Sequence, residues 1–468
     1  MVSGCSKLLR CAVASGCCNY RHSSHASINT IKPTYEASPC TLEFDDHRTV
    51  FQHKSTWQLF RALIVLRACA SDYLVDNSLK LLRQGRKLLG ERMLGWLLHP
   101  TVYLQFVAGK SGSDLAVTAE LLRKLNIRLM VAPTLEEDVG ESSTSQEKYD
   151  KNLQEMLRLA DMTHCYGGTQ PCLQTKITAM VSADTLSNLT RACANEKLET
   201  CTKMVEHIAS AMTGGKDVED IGVNHTDRHN ITLALRRLRL LGEVATSKNL
   251  RLLVDAEYSY MNPGCSLLTL AMMTVFNQQR PVVSNTYQCY FKRAMQMITH
   301  ELDILNKLGA CFGVKLVRGA YLEKERRLDP TSVCESHYNT GQNYQKVLER
   351  ALLHVLEAGP ERSLLIMATH NEDAVRHAVS RIQQLGLDTA AGHVVFAQIY
   401  GMAEQISLPL AKAGYIVYKS VPVGSLSQVL PYLARRAAEN RSVLHGARKE
   451  RELLQQELFW RFRNVLKI

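Results

Sequence analysis

Apolar positions change their period along the chain. Between residues 44 and 124 they recur at helical spacing. Trp57, Leu59, Phe60, Leu63, Ile64 and Leu66 form one group, and Leu81, Leu82, Leu88, Leu89, Leu94 and Leu97 a second over 79–98. A third spans residues 115–125. This spacing predicts an N-terminal helical arm, 44–124, wrapped on something larger. After it, short β-branched runs take over at 127–132, 173–180, 250–257, 282–290, 312–319, 364–369, 394–399 and 415–421. Stretches of helical period separate most of them, clearest over 226–245, where Ile231, Leu235, Leu238, Leu241 and Val244 share a face. Crossovers this long permit parallel pairing, and near-continuous apolar strands indicate cover on both faces. The prediction is α/β, a TIM-type (β/α)8 barrel over residues 125–468. A doubly wound open sheet is the alternative, but no GxGxxG follows any strand.

The last strand and helix, Gly414 to Asn440, organise the rest. A strand over 415–421 is expected to stop at Pro422 and Gly424. Ser425 then reads as a helix N-cap, with Gln428 completing a capping box. On that helix Tyr432, Arg435, Arg436 and Glu439 share one face, and Val429, Leu430, Leu433 and Ala437 occupy much of the remainder. Two guanidiniums on one stripe suit a planar carboxylate. An exposed Arg–Glu pair of little worth is the plain alternative.

In a TIM barrel, chemistry collects at strand C-terminal ends. Here those ends carry Lys176, Asp255, Glu257, Gln288, the run Arg318-Gly319-Ala320-Tyr321, the run Thr369-His370-Asn371, Tyr400 and Ser420. A lone Asp there caps a helix and a lone His fills a core. Convergence at nearly every strand end is harder to assign to capping.

Charge adds a partner class without choosing one. The formal charge of +11 favours anionic partners such as a membrane surface or acidic small molecules. No RNP-type run, zinc-finger spacing or HExxH occurs, which argues against nucleic acid and against a metal. No run approaches the ~18–20 apolar residues of a membrane span. The 14 cysteines contain no CxxC pair and read as buried free thiols of a reducing compartment. Residues 1–40 hold Lys7, Arg10, Arg21 and Lys32 before the first acid, Glu36, and so read as a mitochondrial transit peptide or a disordered tail.

Seven motifs, KITAM, LLVDAE, NTYQCY, KLVRGAY, ATHN, F-x-Q-I-Y-G-M and YLARRAAEN, occur in an order and spacing that resembles the proline dehydrogenase family from residue 44 to the C-terminus. The resemblance implies a distorted (β/α)8 barrel that holds FAD at its strand C-terminal ends, with the last helix over the substrate. It implies that Arg435 and Arg436 clamp the substrate carboxylate, assisted by Lys176, and that Glu439 places the arginines. Asp255 would lie near the substrate, Tyr321 would pack by its ring, and Ile399 and Tyr432 would border it. Gln288, Lys315, Val317, Gly319, Thr369 and His370 would touch FAD. Hydride would pass from the ring carbon to flavin N5 and on to quinone, with peripheral contact between residues 58–96 and the matrix face of the mitochondrial inner membrane. Ser420 stands where proline-oxidising members carry tyrosine, two residues before the proline of the last strand. Serine leaves room for a ring 4-hydroxyl and offers it a hydrogen bond, which resembles the hydroxyproline-oxidising branch. Leu322 replaces a tryptophan frequent in bacterial members. The expectation is oxidation of trans-4-hydroxy-L-proline with weak activity on L-proline. The alternatives are a plain proline dehydrogenase, a basic membrane-surface scaffold with an inactive barrel, and a phosphate-binding barrel.

Overall fold

The computed structural model describes residues 42–135, 145–194, 196–214, 217–218, 221–439 and 447–465. The expected transit peptide, 1–40, lies outside them. Eight parallel strands close into a barrel in chain order: β1 Ile127–Ala132, β2 Cys172–Thr175, β3 Arg251–Val254, β4 Val283–Gln288, β5 Phe312–Val317, β6 Ser363–Ala368, β7 Val394–Ile399 and β8 Val417–Pro422. Closure runs through β8 and β1, in register from Ile127 opposite Val417 to Ala132 opposite Pro422. The open-sheet alternative is thereby excluded.

Strand alternation divides the core in two. Leu129, Val131, Leu173, Leu252, Val254, Val314, Leu316, Leu365 and Met367 pack in the large cluster shared with the surrounding helices. Met130, Cys172, Leu253, Leu364, Ile366, Val395, Ala397, Ile416 and Tyr418 form a separate cluster within the barrel. This inner cluster fills the barrel with side chains. Two residues further along the strands, the same inner face carries Gln174, Asp255 and Ser420. The polarity of the interior therefore changes at the C-terminal end.

Several strands stop earlier than their apolar runs. The run 173–180 holds its strand only to Thr175, because Ile177–Ala179 turn into a 3₁₀ helix whose end bonds back to Lys176 O (Ala179 N, 3.2 Å). The run 250–257 is strand only from Arg251 to Val254. Beyond the first strand, Ile177, Ala179 and Met180 stay in the main core, whereas beyond the second the chain turns polar at Asp255 and Glu257. Pro422, expected to stop β8, is instead its last residue, and its carbonyl accepts from Ala108 N at 3.1 Å.

The arm is helical as expected, including Thr56–Cys69, Ser78–Leu98 and Gly112–Lys124, with two differences. In Thr56–Cys69 the buried stripe is Leu59, Ala62, Val65 and Leu66, whereas Trp57, Phe60 and Ile64 are exposed. That helix is apolar on more than one side, so spacing alone did not select the packed face. The helix 78–98 also breaks at Gly90, whose φ of 74° lies in the left-handed region that glycine enters without Cβ strain. A further helix, Arg448–Val465, follows Leu426–Glu439, which is therefore not the last one. Its Leu453, Leu454 and Leu458 join Val50, Phe51, Leu59 and Val65 of the arm in a second core, but its many interspersed charges obscured the pattern.

A buried charge cluster ties these parts together. Lys419 of β8 is 0% exposed, donates to Met402 O at short range and lies 3.9 Å from Glu404. Lys54 of the arm approaches Glu404 to 3.3 Å. Glu450 of the C-terminal helix accepts from Ala403 N at 2.8 Å. Burial pushes the Glu404 carboxyl up, but Lys419, Lys54 and His53 outweigh it and hold it down at about 2. Lys419 and Ser420 are neighbours on one strand, so their side chains leave opposite faces: the lysine anchors the arm and C-terminal helix while the serine faces inward.

Candidate active site

A cavity of about 770 Å³ opens at the strand C-terminal ends, within the size range of cofactor and small-molecule sites. The barrel forms its floor. Tyr432, Leu433, Arg436 and Ala437 of the helix Leu426–Glu439 line it, together with Val65, Leu81 and Leu94 of the arm. That helix starts as its sequence suggests, with a variation. Gln428 Oε1 accepts from Ser425 N at 3.1 Å, as in a capping box. The Ser425 hydroxyl, however, donates to Gln428 at 2.7 Å instead of accepting a backbone N–H.

Every expected site residue except Arg435 and Glu439 lines this cavity. Arg435 and Arg436 stand about 100° apart around the helix, flanking the line of Tyr432 and Glu439. Of the two arginines, Arg436 forms part of the cavity wall. Glu439 accepts from Arg436 Nη2 at 2.8 Å and so orients it from behind. The Arg436 guanidinium lies 5.4 Å from the Tyr432 ring centre and 5.8 Å from that of Tyr321, within cation–π range.

Tyr321 is the hub. Its backbone is left-handed, with φ 69°, which turns the chain sharply at the end of β5 and buries the ring. The phenol oxygen accepts from Lys176 Nζ at 3.3 Å and from Arg436 Nη1 at 3.4 Å, and donates to Glu257 at 3.5 Å. Burial pushes the phenol well above its ordinary value, with Lys176 opposing and Glu257 adding to the shift, so it stays neutral. Two cations and a carboxylate therefore converge on one hydroxyl. Glu257 also lies 3.8 Å from Lys176 and accepts from Thr178 at 2.8 Å. Its strand-end position in VDAE was legible, but its link to Tyr321 needed the fold.

On the opposite side, Lys315 pairs with Asp255 at short range. Gln288 Oε1 accepts from Ala320 N at 3.0 Å and from the Tyr290 hydroxyl at 3.1 Å, while Nε2 donates to Glu257 O at 3.1 Å. Gln288 thus shapes the β5 loop as well as lining the cavity. Gly319 has φ 124°, and a Cβ there would stand 2.1 Å from the Tyr290 ring, so only glycine fits. Arg318, whose charge burial disfavours, also lines the wall and donates to His337 O at 2.7 Å. Val317 and Thr369 complete that wall, with Thr369 Oγ1 accepting from Asn371 N at 3.1 Å.

His370 Nε2 accepts from Ile399 N at 3.0 Å, which fixes a neutral imidazole with its proton on Nδ1. Burial, reinforced by the charge of Lys419, pushes its pKa down to about 3. The unfolded chain then binds more protons than the folded one between the ordinary histidine value and about 3. Stability from this group is complete above pH ~6.5 and falls as pH drops through that window, by up to about 1.4 kcal/mol per unit. Thermal melts of wild type and His370→Gln between pH 7 and 4 should show a steeper decline for wild type. Parallel curves would contradict the assignment.

Ser420 of β8 is also on the wall, and its Oγ accepts from Gln174 Nε2 of β2 at 2.6 Å. Gln174 was not among the expected residues. The signal was present, since Gln174 precedes Lys176 by two places on a strand and so shares its inward face.

A family model described as proline dehydrogenase matches residues 139–449. Hydroxyproline dehydrogenase from Xenopus laevis is 41% identical over 426 residues, covering 89% of this chain and 90% of that protein. The protein of the same name from Homo sapiens is 40% identical, covering 90% of this chain and 93% of that protein. Human mitochondrial proline dehydrogenase 1 is 30% identical, covering 93% of this chain and 92% of that protein. Among solved structures, proline utilization A from Bdellovibrio bacteriovorus superposes with a TM-score of 0.60 at 17% identity. The match covers 87% of this chain and 40% of that longer one, and shows the shared fold.

Proposed function

Since the chain belongs to the proline dehydrogenase family of oxidoreductases, we propose that it oxidises trans-4-hydroxy-L-proline to 1-pyrroline-3-hydroxy-5-carboxylate with FAD as cofactor. The observation that carries this reading is a single cavity lined both by a cationic pair, Lys176 and Arg436, and by the Ser420 hydroxyl. A ring carrying a carboxylate and a hydroxyl meets complementary groups there. The names of the relatives at about 40% identity support the hydroxylated substrate.

The wall around β4–β6 fits a large anionic cofactor. Gly319 admits a close approach of the backbone, Arg318 and Lys315 supply positive charge, and Gln288, Thr369 and the His370 imidazole supply polar contacts. These residues would hold FAD. When bound, it would supply a two-electron acceptor for the hydride of the ring carbon beside the nitrogen. The protein's part is placement. Arg436 and Lys176 anchor the carboxylate, Tyr321 packs against the ring, and the helix Leu426–Glu439 covers the site and limits water. Asp255, neutralised by Lys315, borders the site without adding net charge. The substrate nitrogen must be neutral when hydride leaves, and its proton is released as the imine forms.

Electrons then pass to a quinone, and the arm offers a surface for reaching one. Leu88 and Trp96 are 84% and 82% exposed beside Arg83, Arg86, Lys87 and Arg92. An apolar and basic face of this kind suits the anionic surface of the mitochondrial inner membrane on its matrix side. Sedimentation with anionic vesicles, lost in high salt and in Trp96→Glu, is the expected result. Equal recovery without vesicles would reject the membrane contact.

The oxidation itself is tested by adding trans-4-hydroxy-L-proline anaerobically to the purified protein. A yellow protein that bleaches supports the reading. A colourless protein would favour the scaffold alternative.

A further inference from the structure

We infer that Gln174 is a specificity-determining residue that acts with Ser420 to recognise the ring hydroxyl of the substrate. This rests on the hydroxyproline reading above and adds a residue to it.

Met130 of β1 lies opposite Cys172 on one side and opposite Ser420 on the other, so β1 separates β2 from β8. Cys172, Met130 and Tyr418 belong to the cluster inside the barrel. Two residues further along each strand, the inner positions are Gln174, Ala132 and Ser420, and all three line the cavity. On β1 between them stand Met130, opposite Ser420, and the small Ala132, opposite Pro422. The contact at 2.6 Å is therefore a bridge between two non-adjacent strands, set on top of the apolar plug.

Gln174 is only 8% exposed, and a buried amide needs partners. A serine hydroxyl has one donor and two acceptor sites. With one acceptor site taken by Gln174 Nε2, the Ser420 O–H is left to point elsewhere, and Gln174 retains its carbonyl oxygen as an acceptor. The pair thus presents one donor and one acceptor at the cavity wall. A ring hydroxyl needs that combination: its oxygen accepts from Ser420 and its proton goes to Gln174. An unsubstituted ring matches neither group and displaces the water that would otherwise serve them. A site built to bond a hydroxyl discriminates against the analogue lacking it more strongly than shape does, by up to ~10⁴-fold against ~10–200-fold. Serine alone, free to rotate toward water, supplies the smaller figure. A serine held by a buried amide supplies more.

The experiment is a double-mutant cycle on the full chain carrying its flavin. It uses Gln174→Leu, Ser420→Ala and the double variant, with kcat/KM measured on trans-4-hydroxy-L-proline and L-proline in parallel. Gln174→Leu should lower the hydroxyproline-to-proline ratio by at least ~10-fold, mainly through KM for hydroxyproline. The double variant should lose little beyond Ser420→Ala, because the two act as one unit. A Gln174 that only holds β2 to β8 would lower both substrates together and leave the ratio in place, which would overturn the inference. Gln174→Asn, keeping an amide one methylene shorter, serves if the leucine variant does not fold, and should lower the ratio by at least ~5-fold. The two claims fail differently. A wild-type enzyme without preference for hydroxyproline overturns the functional reading. A wild-type preference that survives both Gln174 substitutions overturns only the role of Gln174.

Discussion

Arg436→Met lowers kcat/KM for trans-4-hydroxy-L-proline by ~10³-fold or more, because a desolvated carboxylate that loses its guanidinium partner costs about 3–5 kcal/mol. The surroundings of Arg436 argue for an effect at the upper end. Its guanidinium is held by Glu439 at 2.8 Å and by the Tyr321 hydroxyl at 3.4 Å, between the rings of Tyr321 and Tyr432. Orientation of the charge is thus fixed before substrate arrives, and little ordering remains to oppose binding. Lysine at this position supplies charge without the planar fork, so Arg436→Lys should recover only part of the loss. Because the carboxylate bond also positions the ring, kcat should fall along with the rise in KM. Steady-state kinetics on a flavin-loaded, normally melting variant decides the matter. A loss below fivefold would mean that Arg436 is not the principal carboxylate anchor.

Ser420→Tyr moves the substrate preference toward L-proline, with the hydroxyproline-to-proline ratio of kcat/KM falling ~10²-fold. Two effects act in the same direction. The phenol fills the wall where the hydroxyl would lie, and overpacking a fitted site costs about 1–3 kcal/mol. It also removes the acceptor now bonded to Gln174 at 2.6 Å, so the amide must find another partner. Proline, which needs neither the space nor the bond, should keep its turnover and bind no worse. A variant retaining the full hydroxyproline rate would contradict the role given to Ser420. The adjacent Lys419 is a useful contrast, since its side chain leaves the other face and reaches Glu404.

Much of this architecture was legible in the sequence, and the failures have physical causes. The strands at 127–132 and 394–399 matched because turn residues bound their apolar runs sharply. The run at 173–180 overran because Ile177, Ala179 and Met180 are as buried as the strand itself, and that at 250–257 because its end was set by the polar strand-end residues Asp255 and Glu257. The face of the helix Thr56–Cys69 was misassigned because Trp57, Phe60 and Ile64 are apolar yet exposed. The C-terminal helix Arg448–Val465 was missed because charged residues surround its few core leucines. At the site, the strand ends of the sequence already carry Lys176, Asp255, Tyr321 and Ser420, and all four line the cavity because a parallel barrel gathers strand ends by topology. Of the arginine pair, Arg436 lines the cavity, and the pairing of Arg435 with the substrate carboxylate stays an expectation of the resemblance. Gln174 and Glu257 act through partners remote in sequence, Ser420 and Tyr321, and spacing could not reveal those pairings.

The preference between two imino acids is the most direct test of the account. The measurement is steady-state reduction of a soluble quinone analogue by the flavin-loaded protein, with trans-4-hydroxy-L-proline and L-proline compared as kcat/KM in parallel. The account predicts a ratio of at least ~10 in favour of the hydroxylated substrate. A ratio of one or below would leave the barrel and the carboxylate anchor standing, and would contradict recognition of a ring hydroxyl by Ser420.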